Sequence, residues 1–244
     1  MQSKFYQPDE RRAEKVHELF ATIARRYDLL NDVMTLGLHR HWKRRLVELA
    51  GVGRVTPRGA ASGDAAYNPR VLDLCCGTGD IALRFTGRVV GVDFTDEMLR
   101  VAQTRKRTDS WIRADALRLP FADGSFDVVS VGYGLRNLAD IEHGLREIYR
   151  VLRPGGKLLS LDFGKPESVW LRKAYFAHLR FHLPLMGRWS CGDADAYSYI
   201  LASLEAYPAQ RGIKALMKQI GYRDCGFEEF LGGTMAINFG RKLT

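Results

Sequence analysis

Residues 70–82 read RVLDLCCGTGDIA, a short apolar run interrupted by Asp73 that passes into a turn built on Gly77 and Gly79. A strand that ends in such a turn and opens onto a helix is the first half of a βαβ unit, and open α/β sheets bind ligands at these carboxyl ends. Lacking a Cβ, Gly77 and Gly79 let the backbone approach a ligand and reach conformations closed to other residues. Just beyond the turn, Ile81 to Phe85 is expected as a short helix and Val89 to Val92 as the second strand. Thr95, Asp96 and Glu97 then open a helix whose far end carries Arg105, Lys106 and Arg107, the charge order the helix dipole favours.

The alternation continues. Trp111 to Ala114 reads as a third strand and Val128 to Val131 as a fourth, after which Ile141, Leu145, Ile148 and Leu152 recur at helical spacing. Arg153-Pro154-Gly155-Gly156 is expected to stop that helix in a turn, with a strand from Lys157 to Leu161 behind it. Apolar alternation around Tyr222 to Leu231 and Met235 to Phe239 predicts a closing antiparallel pair. The fold class is therefore α/β, with seven strands in a mostly parallel sheet and an antiparallel final strand. Ahead of it lies a helical amino-terminal lid segment, residues 1–50; residues 51–69, GVGRVTPRGAASGDAAYNP, form a loop or flexible insertion, and residues 70–244 one compact domain.

At 244 residues, 46% hydrophobic and 27% charged, the composition is that of a globular protein with one core. No stretch approaches the ~20 apolar residues of a spanning helix, and the start, MQSKFYQPDE, lacks the apolar centre of a signal peptide, so a cytoplasmic location is expected. Cys75, Cys76, Cys191 and Cys225 have neither disulfide nor zinc spacing, and no metal is expected. The net charge of +9 favours polyanionic partners, nucleic acid or an anionic membrane face.

The chemistry is carried by acids at strand ends. Asp93 stands sixteen positions after Gly77, where a carboxylate accepts both hydroxyls of a ribose. A dinucleotide site would show G-x-G-x-x-G, whereas here the turn reads Gly77-Thr78-Gly79-Asp80-Ile81-Ala82 between Asp73 and Asp80. Those carboxylates repel a pyrophosphate and attract a sulfonium that also bears an ammonium, which favours S-adenosylmethionine. Asp115, at the end of the third strand, is placed to accept from an adenine amino group while Ala116 offers a backbone N–H. The bland alternative is that Asp73 and Asp80 cap local backbone.

The sequence resembles class I methyltransferases and, within them, the ubiquinone/menaquinone biosynthesis C-methyltransferase family. The resemblance rests on YDLLNDVMTLGLHRHWKRRL (residues 27–46), LDLCCGTGD (72–80) and GLRNLADIEHGLREIYRVLRPGG (134–156), with echoes at 195–199 and 232–242. It implies a Rossmann-like fold, cofactor contacts from Thr78, Asp93, Asp115 and Ala116, and a polyprenyl quinol methylated on its ring carbon, demethylmenaquinol by overall likeness. One departure is Cys75, which stands where the general methyltransferase turn has a glycine; a small side chain serves there if φ stays negative. A sulfonium methyl donor needs no Lewis acid.

Carbon methylation of a quinol needs its phenol deprotonated, and Arg136, just past the fourth strand, is the candidate cation facing the cleft. Asn137 is expected to orient the quinol, and Tyr133 to stack on it or bond to it. Tyr27, Asp28, Met34 and His39 are candidate lid walls, His39 more simply a structural residue. Trp170 to Trp189, basic and aromatic without an acid, suits an interfacial surface as well as a packed helix with a solvated face. The competing functions are a nucleic-acid methyltransferase, for which no RNA-binding module or amino-methylation motif is seen, a NAD-dependent oxidoreductase, and a scaffold with a vestigial site. No nucleic-acid partner is expected.

Overall fold

The computed structural model describes residues 18, 20–22, 24, 27–52, 68–105, 110–191 and 195–243, with 184–191 and 195–200 as backbone only. Two amino-terminal helices, α1 (Tyr27–Thr35) and α2 (Leu38–Ala50), precede the sheet. There follow β1 (Arg70–Leu74), β2 (Arg88–Asp93), α3 (Asp96–Thr104), β3 (Ser110–Arg113), β4 (Phe126–Gly132), α4 (Ile141–Val151) and β5 (Leu152–Phe163). The chain closes through α5 (Val169–Cys191), α6 (Asp195–Ala206), α7 (Ala209–Ile220), β6 (Arg223–Phe230) and β7 (Met235–Arg241). Of the expected loop at 51–69, residues 53–67 lie outside the described residues, as do Lys106 and Arg107.

The seven strands are ordered β3-β2-β1-β4-β5-β7-β6, and only β7 runs against its neighbours. The strand order reverses between β1 and β4, so a crevice opens where the chain leaves these two strands. Alternate side chains of each strand feed two cores. Val71, Val128 and Leu159 pack beneath Trp42, Leu46 and Val47 of α2, while Leu72, Val129 and Leu158 face Leu145, Ile148, Ile213 and Met217 of α4 and α7. Burial on both faces is why these strands read as unbroken apolar runs.

Two local expectations are corrected. Between β1 and β2 there is a single 3₁₀ turn, Ala82–Arg84, rather than a helix from Ile81 to Phe85. The reason is the Ala82 N–H, which donates to the Asp73 carboxylate at 2.9 Å. Nor is Arg153–Gly156 a free-standing turn. Phe126 pairs with Leu152 and Val128 with Lys157, so the segment bulges out of β5 without ending the pairing, and Gly155 and Gly156 exchange backbone bonds with Lys242 across from β7. α4 begins on Asp140, whose carboxylate accepts from the His143 N–H at 2.9 Å.

Candidate active site

At the reversal of strand order a cavity of about 200 Å³ opens beyond β1, β2, β3 and β4. Its floor is the turn after β1. Gly77 takes φ +54° and Gly79 φ +82°, and the Gly77 N–H donates to the Asp93 carboxylate at 2.8 Å. The other Asp93 oxygen accepts from the Thr95 N–H at 2.9 Å, so one carboxylate ties the glycine turn to the start of α3. A Cβ at Gly79 would lie 2.3 Å from the Trp111 ring, which makes that glycine a packing requirement as well as a conformational one. Cys75 departs from expectation: its φ is +54°, not negative, so a side chain sits in left-handed backbone where the general methyltransferase turn has glycine. Its thiol is pushed well above the usual range by burial and by the carboxylates of Asp93 and Asp73.

The cavity brings together Gly77, Asp93, Asp115 and Ala116 from the expected cofactor set, and Tyr133 and Asn137 from the expected substrate set. Asp73, Thr78, Gly79 and Arg136 are not among its walls. Asp73 is the fourth residue of β1, not its end, and strand alternation turns it with Val71 toward α2 while Leu74 faces the cavity. It is almost fully buried, accepts from Ser130 Oγ at 2.6 Å and from Ala82, and burial pushes its carboxyl up to about 7 against the pull of those two bonds. Asp80 points elsewhere too: Lys43 at 2.8 Å and Arg84 at 2.9 Å outweigh its burial and hold its pKa below the ordinary value. The electrostatic argument therefore moves from Asp73 and Asp80 to Asp93 and Asp115. Those are the two acids of the cavity, and no Lys, Arg or His lines it among the described residues.

The two acids differ. Burial pushes Asp93 up, opposed by the N–H groups of Thr95 and Gly77. Asp115 has Oδ1 on the Leu117 N–H at 2.9 Å, which fixes the carboxylate at the rim. Around them Leu74, Val92, Met98 and Leu117 make the walls apolar. Met98 and Phe20 escaped the sequence reading; the spacing of Met98 one turn into α3 was a signal for it, and Phe20 had none.

Arg136 does not face the cleft as expected. It is buried behind the cavity, pairs with Asp162 at 2.6 Å, and lies over the Phe163 ring at 4.8 Å. Its Nη1 also donates to the Tyr133 carbonyl at 2.8 Å, and Asn137 Nδ2 donates to the same oxygen at 3.1 Å. Tyr133 itself adopts φ +60°.

Of the lid residues, Tyr27 lines the cavity and its phenol is raised by burial, opposed by Arg136 and by a bond with Asn31. Asp28 accepts from Thr78 Oγ1 at 2.9 Å and pairs with Arg105, so Thr78 links the lid to the glycine turn. Met34 packs against the core, and His39 is buried on Asp32 at 2.8 Å, a structural position.

The strand order, the glycine turn and the acid-bearing crevice define a class I S-adenosylmethionine-dependent methyltransferase fold. A SAM-dependent methyltransferase from Thermotoga maritima, described as a possible histamine N-methyltransferase, superposes with a TM-score of 0.64 at 17% identity over 93% of this chain and 99% of that one. Residues 9–242 match the ubiE/COQ5 methyltransferase family, and the chain belongs to it. Ubiquinone/menaquinone biosynthesis C-methyltransferases UbiE from Ectopseudomonas mendocina and Azotobacter vinelandii are 40% and 38% identical over 96% of this chain and 91% and 92% of their own lengths. The cofactor is S-adenosylmethionine, and the cavity fits it: two carboxylates, no opposing cation among the described residues, and a glycine turn whose backbone reaches the floor.

Proposed function

We propose that this quinone-pathway C-methyltransferase acts on demethylmenaquinol and converts it to menaquinol. The observation that carries the reading is the division of the cavity: acids at the ends of β2 and β3, and an aromatic and amide wall of Tyr27, Tyr133 and Asn137 across from them. Asp93 and Asp115 suit the ribose and adenine of the cofactor, and Gly77 and Ala116 bring backbone beside it. When bound, S-adenosylmethionine supplies a methyl group made electrophilic by its sulfonium. The other wall accepts a planar ring.

A quinol becomes a carbon nucleophile when a phenolic proton leaves, which in water at pH 7 costs roughly 4 kcal/mol for a group of pKa ~10. Among the described residues no cation lines the cavity, and the positive charge near it is that of Arg136 behind the wall. Burial raises the pKa of the phenols of Tyr27, Tyr133, Tyr175 and Tyr207, and at each of them Arg136 works against that rise; the same positive field favours an anionic phenol bound between Tyr27 and Tyr133. Burial, joined by Asp162 at Tyr133, Tyr175 and Tyr207, keeps the protein's own tyrosines protonated. After methylation the ring carbon gives its proton to water and the ring regains aromaticity.

The names of the relatives span both quinone types, and a polyprenyl benzoquinol is the second reading. Incubation with labelled cofactor and each demethylated quinol, with product mass as readout, decides. Methylated naphthoquinol is expected; label on the benzoquinol alone selects the second reading, and label on neither ends both.

Access for a polyprenyl tail points to the bilayer, and the face of α5 supports a membrane contact. Trp170 and Phe181 are exposed, eleven residues and about three turns apart on one side, with the Lys173 ammonium 5.4 Å from the Trp170 ring centre. No acidic residue occurs from Val169 to Leu183. The remainder of the expected stretch, through Trp189, is described as backbone only.

A further inference from the structure

Tyr133 is an odd residue for its position. It stands between Gly132 and Gly134, yet it is the tyrosine that takes the left-handed backbone, at φ +60°. A bulky side chain pays for that conformation and keeps it only where the surroundings hold it there. Three bonds do so. The Tyr133 N–H donates to the Leu161 carbonyl at 2.7 Å, and its carbonyl accepts from Arg136 Nη1 at 2.8 Å and Asn137 Nδ2 at 3.1 Å. Arg136 is in turn fixed by Asp162, whose Oδ1 accepts from Nη1 at 2.6 Å and whose Oδ2 accepts from the Arg136 N–H at 3.3 Å.

The two polar side chains that follow β4 thus converge on one carbonyl. What they hold is Tyr133, a residue of the cavity wall whose side chain is 8% exposed and packs with the core beneath α2. Its hydroxyl is buried and has no hydrogen-bond partner among the described residues. A buried hydroxyl without a partner is uncommon, because nothing replaces the water it lost. An acceptor brought by a substrate in the adjoining cavity would satisfy it.

We infer that Tyr133 is the residue that donates to the substrate's phenolic oxygen, and that Arg136 and Asn137 are positioning residues that hold its backbone left-handed. Burial, Tyr27 and Asp162 keep the Tyr133 phenol protonated despite Arg136, so it meets the oxyanion as a donor. This rests on the quinol methylation proposed above, deepens it, and moves the contact with substrate from Arg136 to Tyr133, three residues earlier in the chain. Proton and charge balance are unchanged: Tyr133 keeps its proton and shares it.

The test combines kinetics with a spectroscopic readout on the full chain. Tyr133→Phe removes only the hydroxyl. It is expected to lower kcat about 10- to 100-fold while S-adenosylmethionine affinity, read by calorimetry, stays within about twofold. Asn137→Ala is expected to lose a similar factor, and the double variant no more than about threefold beyond Tyr133→Phe alone, since both act through one hydroxyl. Losses that multiply would mean that Asn137 meets the substrate itself, and wild-type turnover in Tyr133→Phe would remove the hydroxyl from the reaction; either overturns the inference. Arg136→Ala leaves Asp162 buried without its partner and is a poor probe, so Arg136→Lys is used.

The backbone claim is read without turnover. In protein carrying ¹³C at tyrosine Cα and Cβ, the Tyr133 resonances, assigned by their loss in Tyr133→Phe, are expected to shift in Asn137→Ala and in Arg136→Lys. Unmoved resonances in both variants overturn the positioning role whatever the substrate. A wild-type enzyme that methylates neither quinol sinks the functional reading and with it the donor role, while the resonances still decide what holds Tyr133.

Discussion

Cys75 and Gly134 form a pair that explains how the turn after β1 tolerates a side chain. A Cβ built at Gly134 would fall 2.5 Å from Cys75 Cβ and 2.8 Å from its sulfur, so the glycine at 134 makes room for the cysteine at 75. Gly134→Ala is expected to destabilise the protein by about 1–3 kcal/mol through overpacking. Adding Cys75→Gly removes both colliding atoms and gives φ +54° to a residue that adopts it freely, so the double variant should recover part of the loss. Urea unfolding of the two variants checks this; a double variant no more stable than Gly134→Ala would show that the clash lies elsewhere, the Val131 methyl at 3.0 Å being the other neighbour. Asp73 gives a second prediction. Its folded-state pKa of about 7 lies above the ordinary 3.8, so the native state holds a proton that the unfolded chain releases. Stability from this group is therefore full below about pH 4, falls as pH rises to about 7, and is flat above, by at most about 4 kcal/mol. Asp73→Asn has no such proton to lose, so the wild type should weaken relative to it across that window; parallel pH profiles of the two would refute the assignment.

At the level of elements, α1 is tied to the site by one carboxylate. Asp28 accepts from Thr78 Oγ1, on the glycine turn, and pairs with Arg105, the residue that caps α3. Both ion-pair partners are about two-thirds buried, so the bonds are worth more than a surface pair, on the order of 1–2 kcal/mol. Asp28→Ala is expected to speed hydrogen exchange across residues 27–35 and to weaken S-adenosylmethionine binding several-fold, because Tyr27 then loses its seat beside Gly77; unchanged exchange in α1 would mean that packing alone holds the lid. None of this linkage is visible in sequence, where Asp28 and Arg105 are far apart. What was legible were the local signals: apolar runs for β1 and β4, glycines for the turn, the stripe of Leu145 and Ile148 on α4, and acids at the ends of β2 and β3. What was not legible depends on long-range partners. Asp73 pairs across β1 and β4 with Ser130, Arg136 with Asp162 on β5, and Asp80 with Lys43 on α2, and each bond withdraws from the cavity a charge that the local pattern offered to it. The bulge at Arg153–Gly156 was hidden for the same reason, since only the pairing with β4 and β7 shows the strand continuing around it.

Across the whole molecule the net charge of +9 and the acidic cavity have opposite signs, and they serve different partners. The two acids of the cavity suit a cationic cofactor, and the basic exterior suits the membrane contact proposed for α5. On α5, Arg180 is paired with Glu205, which leaves Arg172 and Lys173 as the basic groups that flank Trp170. Two such residues contribute about 1 kcal/mol each near an anionic bilayer, and Trp170 and Phe181 add roughly 2–3 kcal/mol apiece if they bury in the interface. A sum of that size would give reversible adsorption, and none of the described helices is long and apolar enough to cross a membrane. The chain should therefore float with vesicles rich in anionic lipid at low salt and detach as salt shortens the screening length toward 3 Å near 1 M. Trp170→Ala with Phe181→Ala should abolish flotation and leave methylation of a short-tailed, water-soluble quinol intact, since neither residue lines the cavity. Equal recovery with neutral vesicles would assign the binding to the aromatic residues alone, and no recovery at low salt would withdraw the membrane from this face of the protein.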